Sequence, residues 1–300
     1  MRRTVWFGIL FLLAHFPVFS AEEARIVMVH EGKHWIWFAR EDQFAQFKQD
    51  IEPFYEYADK AFEYLCEAWG LKPPKDKYAL FVWTRTGGGF ATGDIGEVHS
   101  VTGKISPGIG VSYDAFFNVA NGIKGYWGYV LITHEMVNLF TGQIVSGGWP
   151  VDWWADHRSP FPLMTAVQIE FALIPEVAIH HAQQMKEDPL CLMFWKLKDQ
   201  FGWYLFRKAF QTAKEDGINW DRIGQNPSKL RTNYVCAYLQ LSAPTNLSPY
   251  FKDIVPNYDE KMTADIMKAW RKWHSLSPDS KERAKLKDLF LKGEYEKCLR

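Results

Sequence analysis

Within Thr133-His134-Glu135-Met136-Val137-Asn138 an imidazole, a carboxylate and a carboxamide stand at spacings that a helix would bring together. Positions four apart share a helix face, so His134 and Asn138 can converge on one ion while Glu135 reaches toward a water held there. Imidazole nitrogen suits zinc, whereas an amide oxygen is a harder and weaker donor, better matched to manganese or calcium. The chemistry open to such a set is hydrolysis: the ion raises the acidity of a water and the carboxylate takes its proton. Further along, Asp156 and His157 add a carboxylate and a second imidazole. Being adjacent, they point about 100° apart on a regular helix, so joint chelation requires a helix end or a distortion.

The continuation Gly148-Trp149-Pro150-Val151-Asp152-Trp153-Trp154-Ala155-Asp156-His157 resembles the gluzincin metallopeptidase pattern. There an HExxH helix is followed by a Gly/Pro turn and a second helix, roughly W-L-x-E-G, whose Glu is the third zinc ligand. Laid on that pattern, Asn138 stands at the second His, Asp156 at the third ligand, and His157 where Gly is usual. The motif-level resemblance covers about 25 residues. Leu192 to Phe210, with Leu247 to Phe251, looks like the helical region of enhancin-like, mucin-directed members.

The resemblance implies an α+β fold with a zincin-like N-terminal subdomain and a mainly helical C-terminal one. It also implies zinc, Glu135 as general base, and a peptide, protein or glycoprotein as substrate. Gluzincins commonly supply a Tyr or His from the C-terminal subdomain to the oxyanion, and Tyr234 is the candidate, with Tyr238 an equal alternative. The departures leave three readings open. Zinc is held by His134 and Asp156, with His157 or Asn138 completing the set; or a harder divalent ion takes the oxygen-rich set; or no metal binds and a catalytically inactive scaffold holds a peptide or glycan.

Two other groups carry chemistry. Glu176 and His180 are four apart, with His181 adjacent, and form a possible second metal or acid/base site. Pro175 before Glu176 suits a helix start, where an acidic residue is favoured in any case. Asp152, Asp156 and Glu135 admit a glycosidase reading built on paired carboxylates.

The elements that must position these residues follow from periodicity. Ile26 to His30 and His34 to Ala39 predict a hairpin, and Glu41 to Gly70 an amphipathic helix that Pro53 kinks or divides. Tyr78 to Thr84 and Gly108 to Asp114 predict strands. Thr86 to Gly93 reads as a loop, not a phosphate cradle, because no Gly-Lys-Ser/Thr ending follows. Gly125 to Phe140 predicts the helix that carries the site. Beyond Leu163 helical signals dominate, in Ala166 to Ala182, Leu190 to Ala213 and Ala264 to His274. The expected organisation is a leader over residues 1–20, an α+β subdomain over 21–162 and a helical subdomain over 163–300, with a cleft between the last two.

Composition bounds the function. The basic start, the apolar run from Val5 to Phe19 and Ser20-Ala21 predict a cleaved signal peptide, hence a secreted or periplasmic product with no integral membrane segment. Basic and acidic residues balance at 35 each, and loss of Arg2 and Arg3 with the leader leaves a net charge of about −2, which argues against nucleic acid. Four Cys in an exported chain permit two disulfides. The Trp and other aromatic residues are expected mainly in the core.

Overall fold

The computed structural model describes residues 25–83, 88–141, 160–223 and 229–300. β-Branched and aromatic residues in alternation build β1 (Ile26–Glu31) and β2 (Trp35–Arg40), which pair antiparallel across a short turn. The chain then enters α1 (Glu41–Ala68), which runs through Pro53 as one helix and is not divided there. β3 (Tyr78–Trp83) pairs parallel with β2. β4 (Gly89–Thr92) and α2 (Gly96–Thr102) precede β5 (Gly108–Ser112), which is parallel to β3 and antiparallel to β4. The sheet order is β1-β2-β3-β5-β4, so β4 forms an edge. It occupies part of the segment expected to be a loop. What seats it is an absence of side chain: Phe90 of β4 lies opposite Gly110 of β5, where a Cβ would stand 2.1 Å from the Phe90 ring.

Both faces of the sheet are covered. Trp35, Trp37, Leu80, Val82, Ile109 and Val111 join the main core, while Phe38, Ala79 and Phe81 pack against Ile95 and Val98 at the start of α2. Strands buried on both sides explain the near-continuous apolar runs of β3 and β5. After a 3-10 turn at Tyr113–Phe116 comes a small hairpin of β6 (Val119–Ala120) and β7 (Ile123–Lys124), then α3 (Tyr126–Leu139).

From residue 160 the described chain is helical: α4 (Pro160–Leu173), α5 (Pro175–Lys186), α6 (Pro189–Asp216), α7 (Trp220–Ile223), α8 (Lys229–Ser242), α9 (Ser248–Phe251), α10 (Glu260–His274), α11 (Lys281–Leu291) and α12 (Tyr295–Leu299). The expected single helix from Ala166 to Ala182 is two, because Ile174 leaves helical geometry ahead of Pro175. The fold is thus α+β. Its two parts share one core: Trp69, after α1, contacts the rings of Phe140, Phe161, Trp203 and Phe210, and Arg207 Nη1 donates to the Trp69 carbonyl at 3.0 Å.

Trp35, Trp37, Trp69 and Trp273 are fully buried, as core aromatics should be. The permitted disulfides do not form. Cys66, Cys191, Cys236 and Cys298 are all buried thiols outside any disulfide, and burial pushes the Cys66 thiol up to about 11. Among the described residues no helix is long and apolar enough to cross a membrane. Residues 1–20, the expected leader, lie outside the described residues.

Candidate functional site

Helix α3 is apolar on nearly every side. Val130, Ile132, Met136, Val137 and Leu139 are all buried, so its few polar residues stand out against an environment that disfavours them. It packs against β4, β5 and α4. On it the structure brings together three of the expected residues: His134, partly buried; Glu135, 7% exposed; and Asn138, partly buried.

Glu135 points at the edge strand. A Cβ added to Gly89 of β4 would lie 2.7 Å from Glu135 Cγ and 3.0 Å from Oε1, so the carboxylate and the strand backbone approach more closely than any side chain at 89 would permit. One turn along the helix, Asn138 Nδ2 donates to Glu135 Oε2 at 3.0 Å. The residue at the expected ligand position therefore orients the expected base.

The same bond decides what Asn138 offers an ion. With its nitrogen turned to Glu135, its Oδ1 is buried and has no hydrogen-bond partner among the described residues. An orphaned buried amide oxygen is an acceptor whose lone pairs a cation or a water would satisfy. His134 and Asn138 thus fit half of a mixed nitrogen and oxygen set. Among the described residues no three of His, Cys, Asp and Glu converge as a metal cluster. Asp156 and His157, the other expected ligands, and Asp152 of the glycosidase reading lie outside the described residues.

The oxyanion candidates are not at the site. Tyr234 is wholly buried among the C-terminal helices, where its hydroxyl donates to the Phe290 carbonyl at 2.8 Å and burial raises its pKa far above the usual range. Tyr238 donates to Asp216 Oδ2 at 2.8 Å. Both hydroxyls are held by the helical layer, which withdraws them from a role beside Glu135. The second expected cluster also comes apart. Glu176 is exposed in the first turn of α5 behind Pro175, while His181 turns inward and meets Glu170 Oε2 through Nδ1 at 2.8 Å.

Glu170 is the residue that pattern reading passed over. It is fully buried on α4, and its Oε1 accepts from Thr133 Oγ1 at 2.8 Å, one residue before His134. Three helices, α3, α4 and α5, are joined at this one carboxylate. Burial, and then the charge of Glu170, hold the Tyr57 hydroxyl well above its ordinary pKa and push Tyr126 up to about 12. The available signal was a lone Glu in the apolar run from Pro160 to Leu173.

No protein-family model matches the chain, nor does any curated protein or solved structure.

Proposed function

We propose that the chain is an exported, metal-dependent peptidase on a gluzincin-like scaffold, with Glu135 as its general base. The observation that carries this reading is the close approach of the Glu135 carboxylate to Gly89 on β4, an antiparallel edge of the described sheet. An edge strand presents unpaired backbone groups to which an extended peptide can add as a further strand. A peptide laid there passes its carbonyls over Glu135.

An ion held by His134 and Asn138 Oδ1, with Asp156 or His157 completing the set, would supply Lewis acidity to the water and the carbonyl. The chain's own residues do the rest. Glu135 accepts a proton from the attacking water and delivers it to the leaving amine. Asn138 orients that carboxylate through Oε2. The buried position of Glu135 shields the exchange from bulk solvent.

Glu135→Gln keeps the shape and the packing but removes the base, so turnover of peptide substrates should fall by about 10²-fold or more while metal and peptide binding persist. Unchanged turnover in that variant sinks the mechanism. The Asn138–Glu135 bond also favours a second reading, in which the site is non-catalytic and holds a peptide or glycan. Wild-type protein that takes up neither zinc nor manganese by mass spectrometry, and cleaves nothing, decides for it.

A further inference from the structure

One turn of α3 away from Glu135, at Leu131, lies a cavity of about 530 Å³ that the proton transfers leave unused. Its walls come from the elements that frame the site. Gly88 leads into β4; Ser112, Asp114 and Ala115 close β5 and the turn after it; Trp127 and Leu131 stand on α3. Trp127, Leu131 and Glu135 follow one another at intervals of four along one helix face. Leu131 and Glu135 are about 6 Å apart along the axis, the span of about two residues of extended chain. Gly89, which touches Glu135, is the next residue after Gly88. A peptide stretched along β4 with its reacting carbonyl at Glu135 therefore carries a neighbouring side chain over the cavity mouth.

We propose that this cavity binds an aromatic side chain of the substrate beside the bond attacked, with tyrosine preferred; the assignment rests on the peptidase reading. Trp127 is 39% exposed and offers a ring to stack against, with Leu131 and Ala115 completing an apolar wall. At the polar end Ser112 is fully buried and its Oγ has no hydrogen-bond partner among the described residues, a match for a phenolic hydroxyl. Asp114 is the charged residue among the described lining and disfavours acidic side chains. Asn118, also in the lining, accepts from the Trp127 backbone N–H at 3.3 Å and holds the start of α3 against the cavity.

Two measurements test this, one of which needs no turnover. In the first, wild type, Trp127→Ala and Ser112→Ala digest a peptide mixture randomised on both sides of the cleaved bond. Cleavage should favour Tyr over Phe over Leu at one flanking position and reject Asp and Glu. Trp127→Ala should lower kcat/KM for aromatic peptides about tenfold or more relative to alanine-bearing ones, and Ser112→Ala should make Tyr and Phe equal. In the second, N-acetyl-tyrosinamide binding is followed by saturation-transfer NMR on wild type and on Ala115→Trp, which fills the cavity. Binding lost in Ala115→Trp supports the cavity; if nothing is cleaved in that case, the peptidase reading fails and the cavity stands. Cleavage without side-chain preference, together with no amide binding, overturns the cavity and leaves the peptidase reading intact. Neither cleavage nor binding overturns both.

Discussion

Two carboxylates, both buried and on neighbouring helices, have opposite surroundings. Glu170 on α4 is fully enclosed, and each of its oxygens meets a side chain from another helix: Thr133 of α3 at Oε1 and His181 of α5 at Oε2. Glu135 on α3 takes Asn138 from its own helix at Oε2 and lies against a glycine of the edge strand. Asp216 repeats the first pattern in the C-terminal layer, accepting from Tyr238 and Trp270 at Oδ2 and meeting His274 at Oδ1. Glu170 and Asp216 join helices through both carboxylate oxygens, whereas Glu135 is set against the backbone of an edge strand. A buried charge is tolerated when its lone pairs are used across helices, and such a group is a structural joint. Glu135 accepts from Asn138 of its own helix and lies against β4, an edge of the sheet among the described residues.

The sharpest way to break this comparison is to remove each carboxylate in turn. Glu170→Leu leaves His181 and Thr133 facing an apolar group and should cost about 3–5 kcal/mol in urea unfolding. Glu135→Gln, by contrast, should stay within about 1 kcal/mol of wild type. Equal losses would erase the distinction. A smaller effect is expected at the strand: Gly89→Ala puts a methyl 2.7 Å from Glu135 Cγ and 2.9 Å from the Gly110 carbonyl, and should cost about 1–3 kcal/mol as β4 or the carboxylate moves. A variant as stable as wild type, with unchanged turnover, would show that the approach of β4 to Glu135 does not matter. The smallest change sharpens the ion question. Asn138→His places an imidazole four residues after His134 and should tighten zinc binding about tenfold, worth about 1.4 kcal/mol, in competition with a chromophoric chelator. No gain would mean that positions 134 and 138 do not converge on one ion.

Much of the architecture was legible because burial imposes periodicity. The alternating Trp and Phe of β2, the three- and four-residue spacing along α1 and the apolar run of α3 each declared their element. β4 was not legible, since a glycine-rich segment has few side chains from which to read a period, and Gly89 lets the strand lie against Glu135 while Gly110 of β5 admits the Phe90 ring. Pro175 was visible as a helix start, but the continuous apolar pattern on either side hid the break at Ile174. Tyr234 looked suitable as an oxyanion donor because residue type and neighbourhood can be read from a string, whereas the direction of a hydroxyl cannot.

The sequence by itself determined which polar residues stand together on α3. His134, Glu135 and Asn138 meet because helical geometry links positions three and four apart whatever surrounds them. Only the tertiary structure decided their partners: that Asn138 turns its nitrogen to Glu135, that Glu170 joins α3 to α5 through Thr133 and His181, and that β4 lies over the carboxylate. Apart from the local Asn138–Glu135 bond, those contacts join residues 11 to 46 apart in the chain and depend on how closely helices and strands pack. Packing distance is a property of the assembled core and has no local signature in the string.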